Sequence, residues 1–185
     1  MDYDPCQVYQ PEADTYLLLD AALAEVKPGD RVLEVGTGSG LIAAGIRKLA
    51  PTVATDINPH AALCAREAGV DIIRCDLSDA IRGSFDLIIF NPPYLPTEPH
   101  ERIDDWLEYA LDGGKTGRET IQRFASGTAR VLAPGGRVLL LVSSLTGPGE
   151  VRHLFADLGF VSEIVRRDTV EDEELSVLRI RLPER

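Results

Sequence analysis

Apolar and polar positions along this chain follow two periods. Short apolar runs are separated by longer stretches in which apolar residues recur at helical spacing. Turns such as Lys27-Pro28-Gly29-Asp30 mark the boundaries. The pattern predicts strands at residues 31–35, 52–55, 70–74, 85–90, 137–143, 160–166 and 175–182. It predicts helices at 14–26 (capped by Asp14 or Thr15), 41–50, 58–68, 118–132 and 149–158, and an acidic helical patch at 103–109.

The order of these elements indicates an α/β fold. Strands alternate with helices until the last two strands, which follow each other. Alternation predicts right-handed crossovers and a doubly wound, mainly parallel seven-stranded sheet. The final pair predicts one antiparallel strand near the edge. With 185 residues, of which 44% are hydrophobic, we expect one domain: a segment and helix at 1–28, then the core at 29–185.

Charge and cysteine content exclude several classes of protein. Nineteen basic and 30 acidic residues give a net charge of −11, which disfavours a nucleic acid partner. The spacing of Cys6, Cys64 and Cys75 indicates neither a disulfide framework nor a metal site.

Neither a secretory leader nor an apolar run of ~20 residues is present, so we expect a cytoplasmic protein without membrane contact. No role is predicted for His60, His100 or His153.

A glycine-rich turn, Gly36-x-Gly38-x-Gly40, joins the first predicted strand to a helix. Glycine permits a tight turn and the close approach of a ligand. A strand-to-helix turn that binds no ligand could contain the same glycines. A dinucleotide fingerprint would need a glycine where Leu41 stands, and no P-loop sequence follows. Glu34, two residues earlier, would repel a pyrophosphate and suits a cationic ligand. S-adenosylmethionine carries an ammonium and a sulfonium and no phosphate, so it fits this turn.

Two further acids end the next two predicted strands. Asp56 lies 20 residues after Gly36, where a carboxylate can accept hydrogen bonds from ribose hydroxyls. Asp76 can reach an adenine amino group, although capping aspartates are common at such positions. The predicted cofactor site also includes their neighbours and the turn itself: Gly36, Thr37, Gly38, Gly40, Ile57, Leu77 and Asn91.

The tetrapeptide Asn91-Pro92-Pro93-Tyr94 follows the fourth predicted strand. Asparagine before proline is a common turn. Here, however, the prolines fix an amide at the tip of a central strand, where open α/β sheets bind ligands. The side-chain oxygen of Asn91 and the carbonyl of Pro92 can accept both N–H groups of a planar amine, and Tyr94 can stack on it. These three residues are the predicted catalytic residues of an N-methyltransferase.

The chain resembles the HemK-type protein-glutamine methyltransferases, in their shorter archaeal and eukaryotic branch. The glycine turn and the Asn91 tetrapeptide are shared with other amino-methylating enzymes of this Rossmann-like class, including adenine methyltransferases. Two segments carry the narrower resemblance: Val8-Tyr9-x-Pro11-x-x-Asp14-Thr15 and Gly113-Gly114-x-x-Gly117-Arg118-Glu119. The resemblance implies that Asp14 and Thr15 close over the methionine end of the cofactor. It also implies a substrate, the glutamine of the Gly-Gly-Gln motif in peptide-release factors.

The resemblance further implies a small activator protein, which in this branch binds zinc and pairs with an edge of the sheet. The predicted edge strand near Val70–Arg74 has apolar residues on both faces, which makes it a suitable place for an added strand. The alternative is that helices of the chain itself cover this edge. Three functions stay open: glutamine methylation, methylation of an adenine or a lysine, and a non-catalytic cofactor-binding subunit.

Overall fold

The computed structural model describes residues 3–98, 100 and 105–183, which form seven strands and six α-helices. The strands are β1 (Val32–Val35), β2 (Thr52–Asp56), β3 (Asp71–Arg74), β4 (Phe85–Phe90), β5 (Leu132–Ser143), β6 (Val161–Val170) and β7 (Glu173–Arg181). The helices are α1 (Ala13–Glu25), α2 (Leu41–Ile46), α3 (Pro59–Glu67), α4 (Glu108–Leu111), α5 (Glu119–Val131) and α6 (Pro148–Asp157). Short 3-10 helices occupy Pro5–Gln7 and Ser144–Thr146.

One sheet contains all seven strands in the order β3-β2-β1-β4-β5-β7-β6. The pairs among β1 to β5 are parallel, whereas β7 runs antiparallel to both β5 and β6. Strand order reverses between β1 and β4, which are neighbours although two strands separate them in sequence. The predicted doubly wound, mainly parallel sheet with an antiparallel strand near one edge is confirmed.

Apolar side chains fill both faces of the sheet. In β4, Leu87 and Ile89 face the helices α1 and α2, whereas Ile88 and Phe90 face α5 and α6. All four side chains are at most 1% exposed. Because successive strand residues point to opposite faces, a strand covered on both sides must be apolar throughout, as this one is. The strand tips are thereby held by a core on each side.

Several predicted boundaries are wrong for local reasons. Helix α1 starts at Ala13, and its N-cap residue is Glu12, whose side chain makes no capping bond to the helix, so neither predicted cap residue serves as one. Strand β5 begins at Leu132, before the predicted start, because the chain there already pairs with Phe85. Strands β6 and β7 continue to a two-residue turn, so they extend into the stretch between the two predicted strands, 160–166 and 175–182.

Part of the predicted helical patch at 103–109 lies outside the described residues, and the helix found there, α4, spans Glu108–Leu111. Among the described residues, no helix is long and apolar enough to cross a bilayer.

Candidate active site

A cavity of about 690 Å³ lies beyond the carboxyl ends of β1, β2 and β4. This is the end of a parallel sheet where ligands bind, next to the point at which strand order reverses. Its volume is in the range of small-molecule pockets. Nearly all residues predicted from the sequence line it: Asp14, Thr15, Glu34, Gly36, Thr37, Gly38, Asp56, Ile57, Asp76, Leu77, Asn91, Pro92 and Tyr94.

Gly40 is the exception, because it faces a neighbouring helix and not the cavity. Its φ is +82°, and a Cβ atom there would lie 2.9 Å from the Cα of Ala65 in α3. The residue is therefore small so that α2 can pack on α3. Gly36 and Gly38, at φ +63° and +55°, form the turn that does line the cavity.

Glu34, at the tip of β1, is only 4% exposed. Its Oε2 accepts hydrogen bonds from Thr37 Oγ1 at 2.6 Å and from the Ala43 amide at 2.9 Å. Burial raises the pKa of this carboxyl to about 8, against the lowering effect of those two bonds, and the charge of Asp56 raises it further. A cationic group entering the cavity would favour the ionised form.

Asp56 ends β2, and its two oxygens accept hydrogen bonds from the glycine turn and from the residue before α3. Its Oδ2 accepts from the Gly38 amide at 2.8 Å, and its Oδ1 accepts from the Asn58 amide at 2.9 Å. Burial raises the pKa of this carboxyl as well. With about four lone-pair positions, the carboxylate keeps room for a ligand hydroxyl beside its backbone bonds.

Asp76, after β3, pairs with Arg123 of α5 through an Nη2–Oδ2 distance of 2.5 Å. The next residue, Leu77, has φ +45°, a left-handed conformation that is uncommon for leucine. Both residues line the cavity beside Ile57. Backbone conformations of this kind persist where the surroundings hold them, often in binding sites.

Asn91, directly after β4, is a polar residue of the tetrapeptide that lines the cavity. Its Nδ2 donates to Asp14 Oδ2 at 3.0 Å, while its Oδ1 is buried without a hydrogen-bond partner among the described residues. A buried acceptor without a partner is costly and marks a place for a ligand donor. Tyr94 packs partly against the apolar cluster under α1 while also lining the cavity.

The glycine motif at residues 113–117 packs closely against the backbone of Tyr94, the last residue of this tetrapeptide. A Cβ atom on Gly117, which has φ +70°, would lie 2.5 Å from the carbonyl oxygen of Tyr94. Backbone bonds join Leu95 to Leu111 and Gly113, and Thr97 to Gly114, so the segment between them closes at its base. The motif therefore sets the position of the chain that follows Asn91 and Pro92, whose side-chain and backbone oxygens we call the clamp.

The N-terminal segment and the chain before α4 cover the cavity, which the pattern of the sequence did not predict. Asn58 Nδ2 donates to the carbonyl of Gln7 at 2.6 Å, and Gln7 Oε1 accepts from the Trp106 amide at 2.9 Å. Trp106 stacks on Tyr109 with ring centroids 5.2 Å apart. Amide side chains and aromatic rings from distant segments thus meet over the cavity.

S-adenosylmethionine fits the residues present. The cavity wall carries several carboxylates, which suit an ammonium, a sulfonium and hydroxyl groups. Among the described lining residues Arg123 is the only basic one, and it is paired with Asp76. A cofactor with phosphate groups would meet acids and no free cation.

Comparisons with known proteins agree with this chemistry. The family model of the methyltransferase small domain matches residues 11–104. A Methanocaldococcus jannaschii protein, provisionally named a protein N5-glutamine methyltransferase, is 43% identical over 180 residues, which cover 93% of this chain and 90% of that one. The chain belongs to the protein-glutamine N5-methyltransferase family.

Two further relatives resemble this methyltransferase. The release factor glutamine methyltransferase of Deinococcus radiodurans is 35% identical over 153 residues, covering 75% of this chain and 55% of that one. A solved complex of E. cuniculi Mtq2 with Trm112 is described as responsible for methylation of the eRF1 translation termination factor. It matches with a TM-score of 0.81 and 31% identity, and covers 96% of this chain and 99% of that one. The methyltransferase, like its family, uses S-adenosylmethionine.

Proposed function

We propose that this enzyme methylates the side-chain amide nitrogen of a glutamine in the Gly-Gly-Gln motif of a peptide-release factor. The observation that carries the proposal is the buried Oδ1 of Asn91 at the tip of β4, an acceptor that has no partner among the described residues. The names of the relatives support a glutamine of a release factor as the substrate.

The residues around Asn91 explain how a weak nucleophile could react. The lone pair of an amide nitrogen is delocalised, so the site must position this nitrogen and stabilise the positive charge that develops on it. Asn91 Oδ1 and the Pro92 carbonyl would accept the two N–H groups in one plane and strengthen these bonds as the charge grows. As the new N–C bond forms, the carbon–sulfur bond of the methyl donor would break, and the nitrogen would release one of these protons to water. Orientation at ~3–3.5 Å supplies much of the remaining effect.

The cofactor would lie along the carboxylates of the first three strand tips. Glu34 would meet its ammonium group, Asp56 its ribose hydroxyls and Asp76 its adenine edge, with Ile57 and Leu77 beside the base. When bound, S-adenosylmethionine supplies an activated methyl group on sulfur. Gly36, Thr37 and Gly38 supply the turn that lets the ligand approach the backbone.

Labelled-methyl transfer to a class I release factor tests the proposal. We expect transfer to the native factor and none to a factor whose Gly-Gly-Gln glutamine is changed to alanine. Equal transfer to both would overturn the assignment, and transfer to a lysine peptide or an adenine oligonucleotide would replace it.

Asn91→Ala tests the role of the clamp. We expect cofactor affinity within about threefold of the parent, because Asn91 is placed at the substrate end, and turnover reduced more than about 100-fold. Lost cofactor affinity with retained turnover at saturation would contradict this role.

We further propose that a small zinc-binding activator pairs with β3. Strand β3 forms one end of the sheet, and Ile73 is 40% exposed on it. An edge with unpaired backbone groups can accept a further strand. The solved relative is a complex with Trm112, which supports a partner of this kind. Release factors act in translation, so we place the reaction in the cytoplasm.

Matched substitutions on the two sheet edges test this partner site. Ile73→Lys on β3 should abolish binding of a purified Trm112-type subunit. Val161→Lys changes a similarly exposed residue on β6, the opposite edge, and should leave binding unchanged. If both variants lose binding equally, or if both retain it, β3 is excluded as the site.

A further inference from the structure

A set of four hydrogen bonds surrounds Asp14 in the first turn of α1. Its Oδ1 accepts from the Thr15 amide at 2.6 Å and from Thr15 Oγ1 at 3.1 Å. Its Oδ2 accepts from Tyr9 Oη at 3.1 Å and from Asn91 Nδ2 at 3.0 Å. A carboxylate has about four lone-pair positions, and the side chain is 4% exposed. Protein donors therefore occupy all of these positions.

This arrangement determines which atom of Asn91 faces the substrate. A carboxylate accepts hydrogen bonds and donates none, so Asn91 must turn its NH2 group toward Asp14. The amide is planar, and its oxygen then points the other way, where it is buried without a partner among the described residues. A half-turn of the amide would place two oxygens against each other and offer the substrate a donor where it needs an acceptor.

Tyr9 completes the arrangement from the N-terminal segment. Burial raises the pKa of its phenol, and the charges of Asp14 and Glu12 raise it further, so the hydroxyl keeps the proton that it donates. The hydroxyl lies 3.1 Å from Asp14 Oδ2 and 3.5 Å from Glu12 Oε2, and the shorter bond limits rotation of the Asp14 carboxylate away from Asn91.

We propose that Asp14 is a positioning residue: held by Tyr9 and Thr15, it locks the Asn91 amide so that Oδ1 faces the amine to be methylated. The identity of that amine rests on the proposed function. The lock, by which we mean the fixed orientation of the Asn91 amide on Asp14, is present in the protein without cofactor. This role differs from the cofactor contact that the sequence resemblance implies for Asp14, since its carboxylate offers a ligand no free position.

Exchanging the two partners is the decisive test. Asp14→Asn removes the constraint on Asn91, and Asn91→Asp places two carboxylates side by side. In the double variant Asp14→Asn/Asn91→Asp, one amide again faces one carboxylate, and an acceptor oxygen again faces the substrate. We expect each single variant to lose turnover about 100-fold, and the double variant to exceed either one at least tenfold.

Two measurements separate positioning from a role in cofactor binding. Cofactor affinity, measured by titration calorimetry, should stay within about threefold of the parent in Asp14→Asn. Tyr9→Phe should lower kcat severalfold with the same affinity, and Tyr16→Phe, which changes a neighbouring exposed tyrosine, should change neither. Weaker cofactor binding in Asp14→Asn with kcat retained at saturation would overturn the proposal.

The melting temperature of the cofactor-free variants gives a readout that needs no substrate. We expect the double variant to melt higher than the sum of the two single shifts predicts. Additive shifts together with additive losses of turnover would also overturn the proposal. If the parent fails to methylate the release factor but the melting temperatures show the coupling, the proposed substrate is wrong and the lock stands.

Discussion

Glu34 is an acid in a place that favours its neutral form. Its carboxyl is buried, and its pKa is raised to about 8, chiefly by loss of water contact. The unfolded chain holds the same group with an ordinary pKa near 4.3. Between these two values the folded protein binds the proton more tightly than the unfolded chain does. The contribution of Glu34 to stability is therefore complete at low pH and is lost as pH rises toward 8.

The first prediction compares the cofactor-free parent with Glu34→Gln, in which the amide oxygen can still accept from Thr37 and Ala43. We expect the variant to gain stability relative to the parent between pH 5 and pH 8, by roughly 3 kcal/mol in the free energy of unfolding. Urea unfolding at several pH values measures this difference. A constant difference across this range would mean that Glu34 is ionised throughout.

The second prediction concerns proton release on ligand binding. At pH 7 an acid with a pKa about one unit higher is roughly 90% protonated. A cationic ligand group at Glu34 would expel this proton, so the parent should release close to one proton more than Glu34→Gln on binding S-adenosylhomocysteine. Calorimetry in buffers of different ionisation enthalpy gives the count. Equal release from both proteins would place the ammonium group elsewhere.

At the scale of the elements, close approach of backbones positions the clamp. Gly117 and Gly135 both have φ near +70°, so alanine at either position is strained. Only at Gly117 would the added Cβ meet another part of the chain, the carbonyl of Tyr94 at 2.5 Å. Alanine at Gly135 would therefore add backbone strain alone, whereas alanine at Gly117 would add strain and also displace Tyr94.

The third prediction uses this pair. Gly117→Ala should lower kcat about tenfold or more, because a displaced Tyr94 misaligns the substrate, with cofactor affinity little changed. Gly135→Ala should cost about 1 kcal/mol of stability and leave kcat unchanged, since nothing lies within 4 Å of its added Cβ. Steady-state kinetics and urea unfolding of both variants provide the measurement. Equal kcat values in the two variants would contradict the role given to Gly117.

Local patterns predicted the strands and their tips well, because a buried strand is apolar along its whole length. They placed Asn91 at the end of β4 and Glu34 at the end of β1, where both lie. They could not predict the bond from Asn91 to Asp14, whose partners are 77 positions apart, or the pair of Asp76 with Arg123, 47 positions apart. Periodicity describes which face a residue occupies, whereas such bonds depend on how the elements pack.

At the scale of the whole molecule, a buried ionic network holds the end of the sheet opposite the site. Arg137 of β5 donates to Glu25 at the end of α1, to Asp30 Oδ2 at 2.8 Å and to the carbonyl of Asp86. Arg179 of β7 donates to the same Glu25 carboxylate at 2.6 Å. One residue of α1 is thereby joined to two neighbouring strands.

The fourth prediction concerns the loss of this network. Arg137→Met should destabilise the protein by about 3–5 kcal/mol, because it leaves the buried Asp30 without its cation and Glu25 with Arg179 alone. Arg31→Met removes an exposed pair with Asp86 and should cost less than about 1 kcal/mol. Urea unfolding at pH 7 measures both. Similar small losses would show that water reaches the Arg137 site.

The bonds that close the chain between Leu95 and Gly113 at its base have a consequence for how such enzymes diversify. Asn91 precedes this closure in sequence, and residues 98–110 fall between its two sides in sequence. A change in this part of the chain would alter the cavity wall, to which Trp106 and Tyr109 contribute, while the closure still joins Leu95 to Gly113. Grafting this segment between relatives should therefore change which protein substrate fits at the cavity entrance, with the closure kept in place.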